Sequence, residues 1–476
     1  MEKLSPEFQA ALDLAHSRAV AHLENLDETT VAATTDLQTL RSRIGKELGR
    51  AGIPPDQVVA DLLEDVRGGL LGSAGGRFFG WVIGGVLPAA LGADWLTSAW
   101  QQNAAMYACS PAASVVEETV GGWLKDVLRL PPTASLALVS GCQMAHVTCL
   151  AAARHALLRR RGWDVETEGL SGSPRIRILS STEWHGSFER AARLIGFGKS
   201  CIKSLPVDSN GRLDANALRK EMQIDPSAPT IVLLQAGDIN IGAYDSFEEL
   251  IPIAHEFGAW VHIDGAFGLW AAVSERLRHL VAGVEQADSW ATDGHKWLNV
   301  PFDCGFAFVA DAEAHRDSLS IRAAYLTHAT EARDQVEWNP EWSRRSRCFP
   351  AYAAMRQLGR DGLEDLVERC CRHAKAIVLG IGALDGAEVV WEPVINQGLV
   401  RFLDQRPEAS DTDHDRRTDE VIADILSSGE AFFGGTTWRG RRAMRVSVCN
   451  WRTSDADVKR VIEAVKKILS PATVLT

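Results

Sequence analysis

The stretch DGHKWLNVP, Asp293 to Pro301, sets a lysine among residues that belong in a core. Lys296 lies between His295 and Trp297 and is followed by Leu298, Val300 and Pro301. An amine kept from water has a lowered pKa, so it can attack a carbonyl and form a Schiff base. The plainer reading is a lysine that snorkels to the surface. Upstream by 296 − 264 = 32 residues, HIDGAFG places Asp264 at the end of an apolar run. A carboxylate there is costly unless paired, and it could hold a cationic ring nitrogen. It could equally cap the next turn. Ala266, two residues on, is small enough for a flat ring to lie against it.

Two further stretches offer chemistry. VSGCQMAH, residues 139–146, reads as a strand running into a helix. Free N–H groups at a helix start bind anions, Gly141 permits close approach, and Gln143 adds a side-chain donor. Alone, it is also an ordinary helix N-terminus. STEWHGSFERA presents His185, which could stack on a planar ligand, handle a proton or simply serve the structure. Together these features supply an anion cup, a stacking group, a carboxylate and an amine, which is what pyridoxal phosphate requires.

Such groups must be brought together by regular elements. Between about residues 76 and 360, short β-rich runs (LALVSG, RIRILSS, TIVLLQAG, AWVHIDG, CGFAFVA) alternate with helical segments. That alternation predicts an α/β unit with a mostly parallel sheet, and ligands bind at the carboxyl ends of such strands. Residues 1–75 read as helical without a core of their own, with Ser5 capping and Pro6 in the first turn. Residues 361–476 read as a smaller α+β unit. It holds a long helix, the strand AMRVSV and a final amphipathic helix with a Ser454/Asp457 capping pair. The polar segment RPEASDTDHDRRTDE is expected to be a solvated loop. Arg159, Arg160 and Arg161, followed by Gly162, are expected at a helix C-terminus.

The ordered set SGCQMAH, STEWHGSFERA, QAGDINIGAYDSF, HIDGAFG, ADSWATDGHKWLNVPFDCGFAFV, AAYLTHA and PEWSRRSRCFPAYAAMRQLGRDGL resembles the group II pyridoxal-phosphate-dependent decarboxylases. That family includes the aromatic-L-amino-acid, histidine and glutamate decarboxylases. The resemblance implies fold type I, with a seven-stranded large domain, a small C-terminal domain and a homodimer whose sites lie at the subunit interface. It implies that Lys296 is the Schiff-base lysine and that Asp264 partners the pyridine nitrogen. His185 would stack on the ring with Ala266 opposite. Cys142 and Gln143 would stand at the phosphate cup, His295 beside the cofactor, and Tyr325 would protonate the substrate carbon. The chain departs from the family pattern at Cys142–Gln143, at His146 where asparagine is common, at Ile239 where aromatic decarboxylases have threonine, and at Gly294 before the His–Lys pair.

The expected reaction is decarboxylation of an L-amino acid to the amine and carbon dioxide. The rivals are oxidative decarboxylation to an aldehyde, carbon–carbon lysis, transamination, or a cofactor-free scaffold. Trp81, in RFFGWVIGG, falls where aromatic decarboxylases line the substrate pocket, which favours an aromatic or apolar substrate. A core or interface tryptophan is the other reading.

Composition narrows the partners. The 476 residues carry 50 Lys and Arg against 62 Asp and Glu, a net charge of −12, which argues against nucleic acid. The longest uncharged run, FFGWVIGGVLPAALGA from Phe78, is too short and too broken by Gly and Pro to span a bilayer, and reads as buried loop or interface. No secretory leader is visible. Nine cysteines without a C-x-x-C pair suit the reducing cytoplasm better than disulfides or a metal site. No metal is expected.

Overall fold

The computed structural model describes residues 4–321 and 332–470. Its large sheet has seven strands: β1 Ser135–Val139, β2 Arg177–Ser181, β3 Ile202–Leu205, β4 Thr230–Gln235, β5 Trp260–Asp264, β6 Ser289–Asp293 and β7 Gly305–Val309. Their order is β1-β7-β6-β5-β4-β2-β3. Only β7 opposes the common direction, pairing antiparallel with both β1 and β6. Alternation along the strands sorts side chains onto two cores. Leu136, Leu138, Val232, Leu234, Val261 and Ile263 enter one. Ala137, Val139, Ile231 and Leu233 enter the other, against the helix Cys142–Arg159. That helix contributes Ala145, Ala152, Ala153 and Ala156 to the contact, and side chains this small let it lie close to the sheet.

A four-stranded antiparallel sheet forms the second layer: β8 Ala387–Trp391, β9 Gln397–Phe402, β10 Gly434–Trp438 and β11 Arg441–Ser447, ordered β10-β11-β9-β8. The helix Cys348–Gly382 joins the two sheets and breaks at Gly359, where φ is 62° and ψ −170°. The final helix Asp455–Leu469 begins with the Ser454/Asp457 capping box.

Two sequence expectations are corrected. RPEASDTDHDRRTDE is not a loop through its length, because the helix Asp411–Ser428 starts within it behind a Ser410/Asp413 capping box. Its polar face is solvated, while Thr418, Val421 and Ile425 are buried. The run from Phe78 is loop only as far as Leu87; Pro88 then opens the helix Pro88–Trp100. Pro suits that position because its missing N–H has no partner there to lose. No described helix is long and apolar enough to cross a membrane.

One ion pair is fully enclosed. The Arg344 guanidinium meets both carboxylate oxygens of Glu117 at 3.0 and 3.2 Å and donates to the backbone oxygens of Ala104 and Leu138, at 2.7 and 2.6 Å. It ties β1 to the helix Pro111–Val127. Removing one partner of such a pair strands a buried charge. Glu117→Ala is therefore expected to cost about 3–5 kcal/mol of stability, read by denaturant unfolding; a loss below about 1 kcal/mol would refute the assignment.

Candidate active site

β5 and β6 lie side by side and parallel, with Asp264 opposite Ala291. Both strands end in a buried carboxylate, Asp264 and Asp293. The chain turns after Asp293 and presents Lys296, whose Nζ lies 3.0 Å from Asp293 Oδ2. Asp293 Oδ1 accepts the backbone N–H of Cys142 at 2.6 Å, at the start of the helix Cys142–Arg159. One carboxylate thus anchors the lysine and the helix N-terminus. The sequence reading gave Asp293 no role, although its i, i+3 spacing to Lys296 within DGHK was the available signal. It also expected a lowered lysine pKa. Burial does pull the amine down, but the charge and hydrogen bond of Asp293 outweigh it, and the net shift is upward. Lys296 is held as an ammonium.

Asp264 answers to several donors. Burial opposes its charge, yet His146, His185 and Lys296 together hold it well below the ordinary carboxylate range. His146 Nε2 is 3.5 Å from Oδ2, the Ala266 N–H donates to Oδ1 at 3.1 Å, and the Cys142 thiol reaches Oδ1 at 3.9 Å. Burial lifts that thiol well above its usual pKa, so it stays protonated and can donate. The ligating atoms of Cys142, His146 and Asp264 all fall within 4.8 Å of one another.

His185 is the N-cap of the helix Gly186–Leu194. Its Nδ1 accepts from the Ser187 hydroxyl at 2.8 Å and from the Ser187 N–H at 3.3 Å, which leaves the hydrogen on Nε2. Part of the ring is open to solvent, but desolvation of the rest lowers its pKa and keeps it neutral. Ala266 is half-buried beside Asp264, and its carbonyl accepts the Asp293 N–H at 3.0 Å. His295 stands 3.6 Å from Asp293 Oδ1, accepts the Cys304 N–H at Nδ1, and meets the Phe302 ring at a tilt of 33° with centroids 4.4 Å apart.

Backbone crowding closes the turn. A Cβ on Gly305 would lie 2.5 Å from Gly141 Cα, and one on Gly294 would lie 2.9 Å from Cys304 Sγ and 3.0 Å from the Phe306 ring. The glycine at 294 therefore has a packing cause. The segment 78–87 crosses behind the lysine, where a Cβ on Gly84 would meet the Lys296 carbonyl oxygen at 2.0 Å. Asn299, buried with φ 51°, fastens this crossing. Its Nδ2 donates to the carbonyls of Lys296, Trp297 and Cys449, and its Oδ1 accepts the N–H of Gly85 and of Trp451.

Arg445, on β11, was not singled out by sequence. It is 9% exposed, donates at 3.3 Å to the Ile239 carbonyl and forms no ion pair with a described residue. Burial lowers its pKa to about 10, with Asp238 opposing. Its charge still acts on His185. Trp81 is 54% exposed, with left-handed φ at both Trp81 and Val82, and its ring rests on Phe432 at 4.8 Å and Phe78 at 5.9 Å. Among the described residues, its ring contacts are with Phe78 and Phe432 and not with Lys296 or Asp264. Tyr325 lies outside the described residues.

These residues fit pyridoxal phosphate. A phosphate needs unspent N–H groups, and those of Gln143 and Met144 lie in the helix's first turn, where no intrahelical acceptor exists. A pyridinium needs a lasting anion, which Asp264 is. An aldehyde needs an amine, which Lys296 supplies once its ammonium gives up a proton.

Known proteins agree. The model of the pyridoxal-dependent decarboxylase conserved domain matches residues 50–403. The aromatic-L-amino-acid decarboxylase of Bacillus atrophaeus is 24% identical over 456 residues, covering 94% of this chain and 92% of that protein. The 4-hydroxyphenylacetaldehyde synthase of Rhodiola rosea is 28% identical over 343 residues, covering 69% of this chain and 68% of that protein. The crystal structure of Oryza sativa TDC with PLP and tryptamine superposes with a TM-score of 0.91 at 24% identity, over 99% of this chain and 100% of that one, which establishes the shared fold. With the family model spanning most of its length, the chain belongs to the group II pyridoxal-dependent decarboxylases and is a pyridoxal-phosphate-dependent amino-acid decarboxylase of fold type I.

Proposed function

We propose that this enzyme converts an L-amino acid with an aromatic or apolar side chain to its amine and carbon dioxide. The observation that carries the reaction is the pairing of Asp264 and Lys296 at the ends of adjacent strands, with Asp264 held anionic. Bound pyridoxal phosphate supplies an electron sink for the pair left on Cα when carbon dioxide departs. Lys296 would hold the cofactor through its aldehyde and yield that place to the substrate amine. Asp264 keeps the ring nitrogen protonated. The neutral His185 ring and Ala266 bound the two ring faces. The N–H groups of Gln143 and Met144, with the Gln143 side chain and His295 close by, would receive the phosphate at the helix start that Cys142 opens. Arg445 is the buried cation left to orient the substrate carboxylate.

The substrate preference rests on the aromatic surface built by Phe78, Trp81 and Phe432, and on the aromatic decarboxylase among the relatives. Aldehyde formation is the second reading, favoured by the relative that is an aldehyde synthase. Tyr325 decides between them: as the acid that delivers a proton to Cα, it commits the reaction to amine.

The assembly we infer is a homodimer in the cytoplasm. The helices Pro6–Glu24, Leu37–Ile44 and Pro55–Asp65 bury no residue completely and leave Phe8, Leu12, Leu37, Ile44 and Leu62 exposed. A partner's surface would cover them. All nine cysteines are free, which fits a reducing compartment. Residues 76–360 would carry the cofactor and residues 361–476 would form the small domain.

A screen of amino acids for carbon dioxide release should rank aromatic and branched apolar substrates above glutamate, and Arg445→Met should raise KM for the best of them. Faster turnover of glutamate would reject the specificity. Tyr325→Phe should cut amine formation by about 10²–10⁴-fold and raise the aldehyde share; an unaltered product ratio would remove Tyr325 from the reaction. Sedimentation should give twice the chain mass, and deletion of residues 1–75 should yield monomers. A stable monomer of the intact chain would overturn the dimer.

A further inference from the structure

Behind Asp264 runs a line of buried polar groups that the reaction, as derived so far, does not use. His146 Nδ1 lies 2.9 Å from His262 Nε2. His262 Nδ1 lies 2.9 Å from Ser289 Oγ, and Trp260 Nε1 donates to the same oxygen at 2.9 Å. All four side chains are buried. Together they link the helix Cys142–Arg159, β5 and β6.

With a neutral His146, one arrangement of hydrogens serves every contact of this line and gives Asp264 a donor. An ionised carboxylate accepts and cannot donate, so His146 must carry its hydrogen on Nε2, facing Oδ2 at 3.5 Å. The Nδ1 of the neutral ring then accepts, which makes His262 Nε2 the donor. His262 is neutral, because burial draws its pKa to about 3. A neutral His262 with hydrogen on Nε2 accepts at Nδ1, from the Ser289 hydroxyl. The oxygen of Ser289 is in turn fed by the Trp260 N–H, which has no acceptor role. Every donor in the chain points toward Asp264. The outermost step, at 3.5 Å, is a close charge contact longer than a normal hydrogen bond, and active-site contacts of this kind often tighten when the ligand arrives.

Among the described residues, no second anion pairs with His146. The Cys142 thiol, 3.5 Å from its Nε2, comes from its own helix. His262 and Asp264 come from β5. The Phe188 ring closes the remaining side edge-on at 5.6 Å. His185 and Lys296 are the other charged or titratable groups acting on Asp264.

We propose that His146 is a positioning residue: through its Nε2 hydrogen, at the end of the Trp260–Ser289–His262 relay, it orients the Asp264 carboxylate toward the cofactor's ring nitrogen. This rests on the reading that Asp264 holds that nitrogen. His146 touches neither substrate nor cofactor. Its effect reaches the reaction only through the carboxylate it orients.

The test uses the full-length protein and pyridoxal phosphate itself. Cofactor affinity is measured by quenching of tryptophan fluorescence, and the pH titration of the bound cofactor's visible absorption is recorded. His146→Phe keeps the bulk and removes the donor. It should weaken cofactor binding by roughly ten- to hundredfold, the scale of a hydrogen bond to a charged group, and should shift the absorption titration. His146→Gln restores an N–H and should recover most of the affinity. Ser289→Ala, at the far end of the relay, should shift the titration in the same direction by less, and it carries the test if His146→Phe does not fold. Wild-type affinity and titration in His146→Phe would overturn the proposal, as would a His146→Gln protein no better than His146→Phe, or an unmoved titration in Ser289→Ala. Borohydride should still fix the cofactor onto Lys296 in every variant. Failure of that fixation in the wild-type protein would instead refute the cofactor assignment beneath this one.

Discussion

Two carboxylates taken out of water on adjacent strands are the constraint around which the site is organised. Burying one such charge costs several kcal/mol unless other groups answer it. Asp293 is answered by the Lys296 ammonium and the Cys142 N–H; Asp264 is answered by histidines and the Ala266 N–H. The two sets hardly overlap, and their partners come from different elements. Each carboxylate therefore pulls separate pieces of chain to the strand ends, and the two strand ends are fixed together when both charges are satisfied at once.

The lysine is held from behind as firmly as from the side. Asn299 has a left-handed backbone and a buried amide, and all of its side-chain hydrogen bonds go to backbone. Those bonds reach the lysine turn, the crossing segment at Gly85 and the chain just past β11. A shift of the small sheet relative to the large one would break several of them together. The close approach of Gly84 to the Lys296 carbonyl leaves no slack in the same place. Rigid support of this kind is what a reactive amine needs if it is to meet an aldehyde in one geometry.

Much of this was legible in the sequence, and the limits were physical. The five apolar runs read as strands all appear as strands, because strands buried on both faces are hydrophobic throughout. SWATD and IKSL were missed. The first mixes polar residues into a buried strand, and the second is an edge strand with its middle residues exposed. The helix Asp411–Ser428 was read as loop because its first turns are nearly all charged, and its apolar face begins only at Thr418. Among site residues, Lys296 and Asp264 stood out because each is a charge in an apolar setting. Asp293 sits in a run no less buried, but beside a lysine its charge drew no separate notice. Arg445 could not be found by pattern: AMRVSV is simply a strand with one arginine, and only the fold shows that this arginine forms no ion pair with a described residue.

The phosphate end of the site shows why side-chain identity there is loosely constrained. The first turn of the helix Cys142–Arg159 offers backbone N–H groups in fixed directions, whatever side chains it carries. Asp293 takes the first of them, at Cys142, and by doing so pins the helix start to the same carboxylate that pins the lysine. The next two remain for an anion. Cys142 can then turn its sulfur inward toward Asp264 and His146 instead of serving the phosphate. A Cys–Gln pair in place of smaller or hydroxylated residues is compatible with an intact anion site for this reason: the backbone does the binding, and the cysteine side chain is free to join the network that holds the ring's counter-charge.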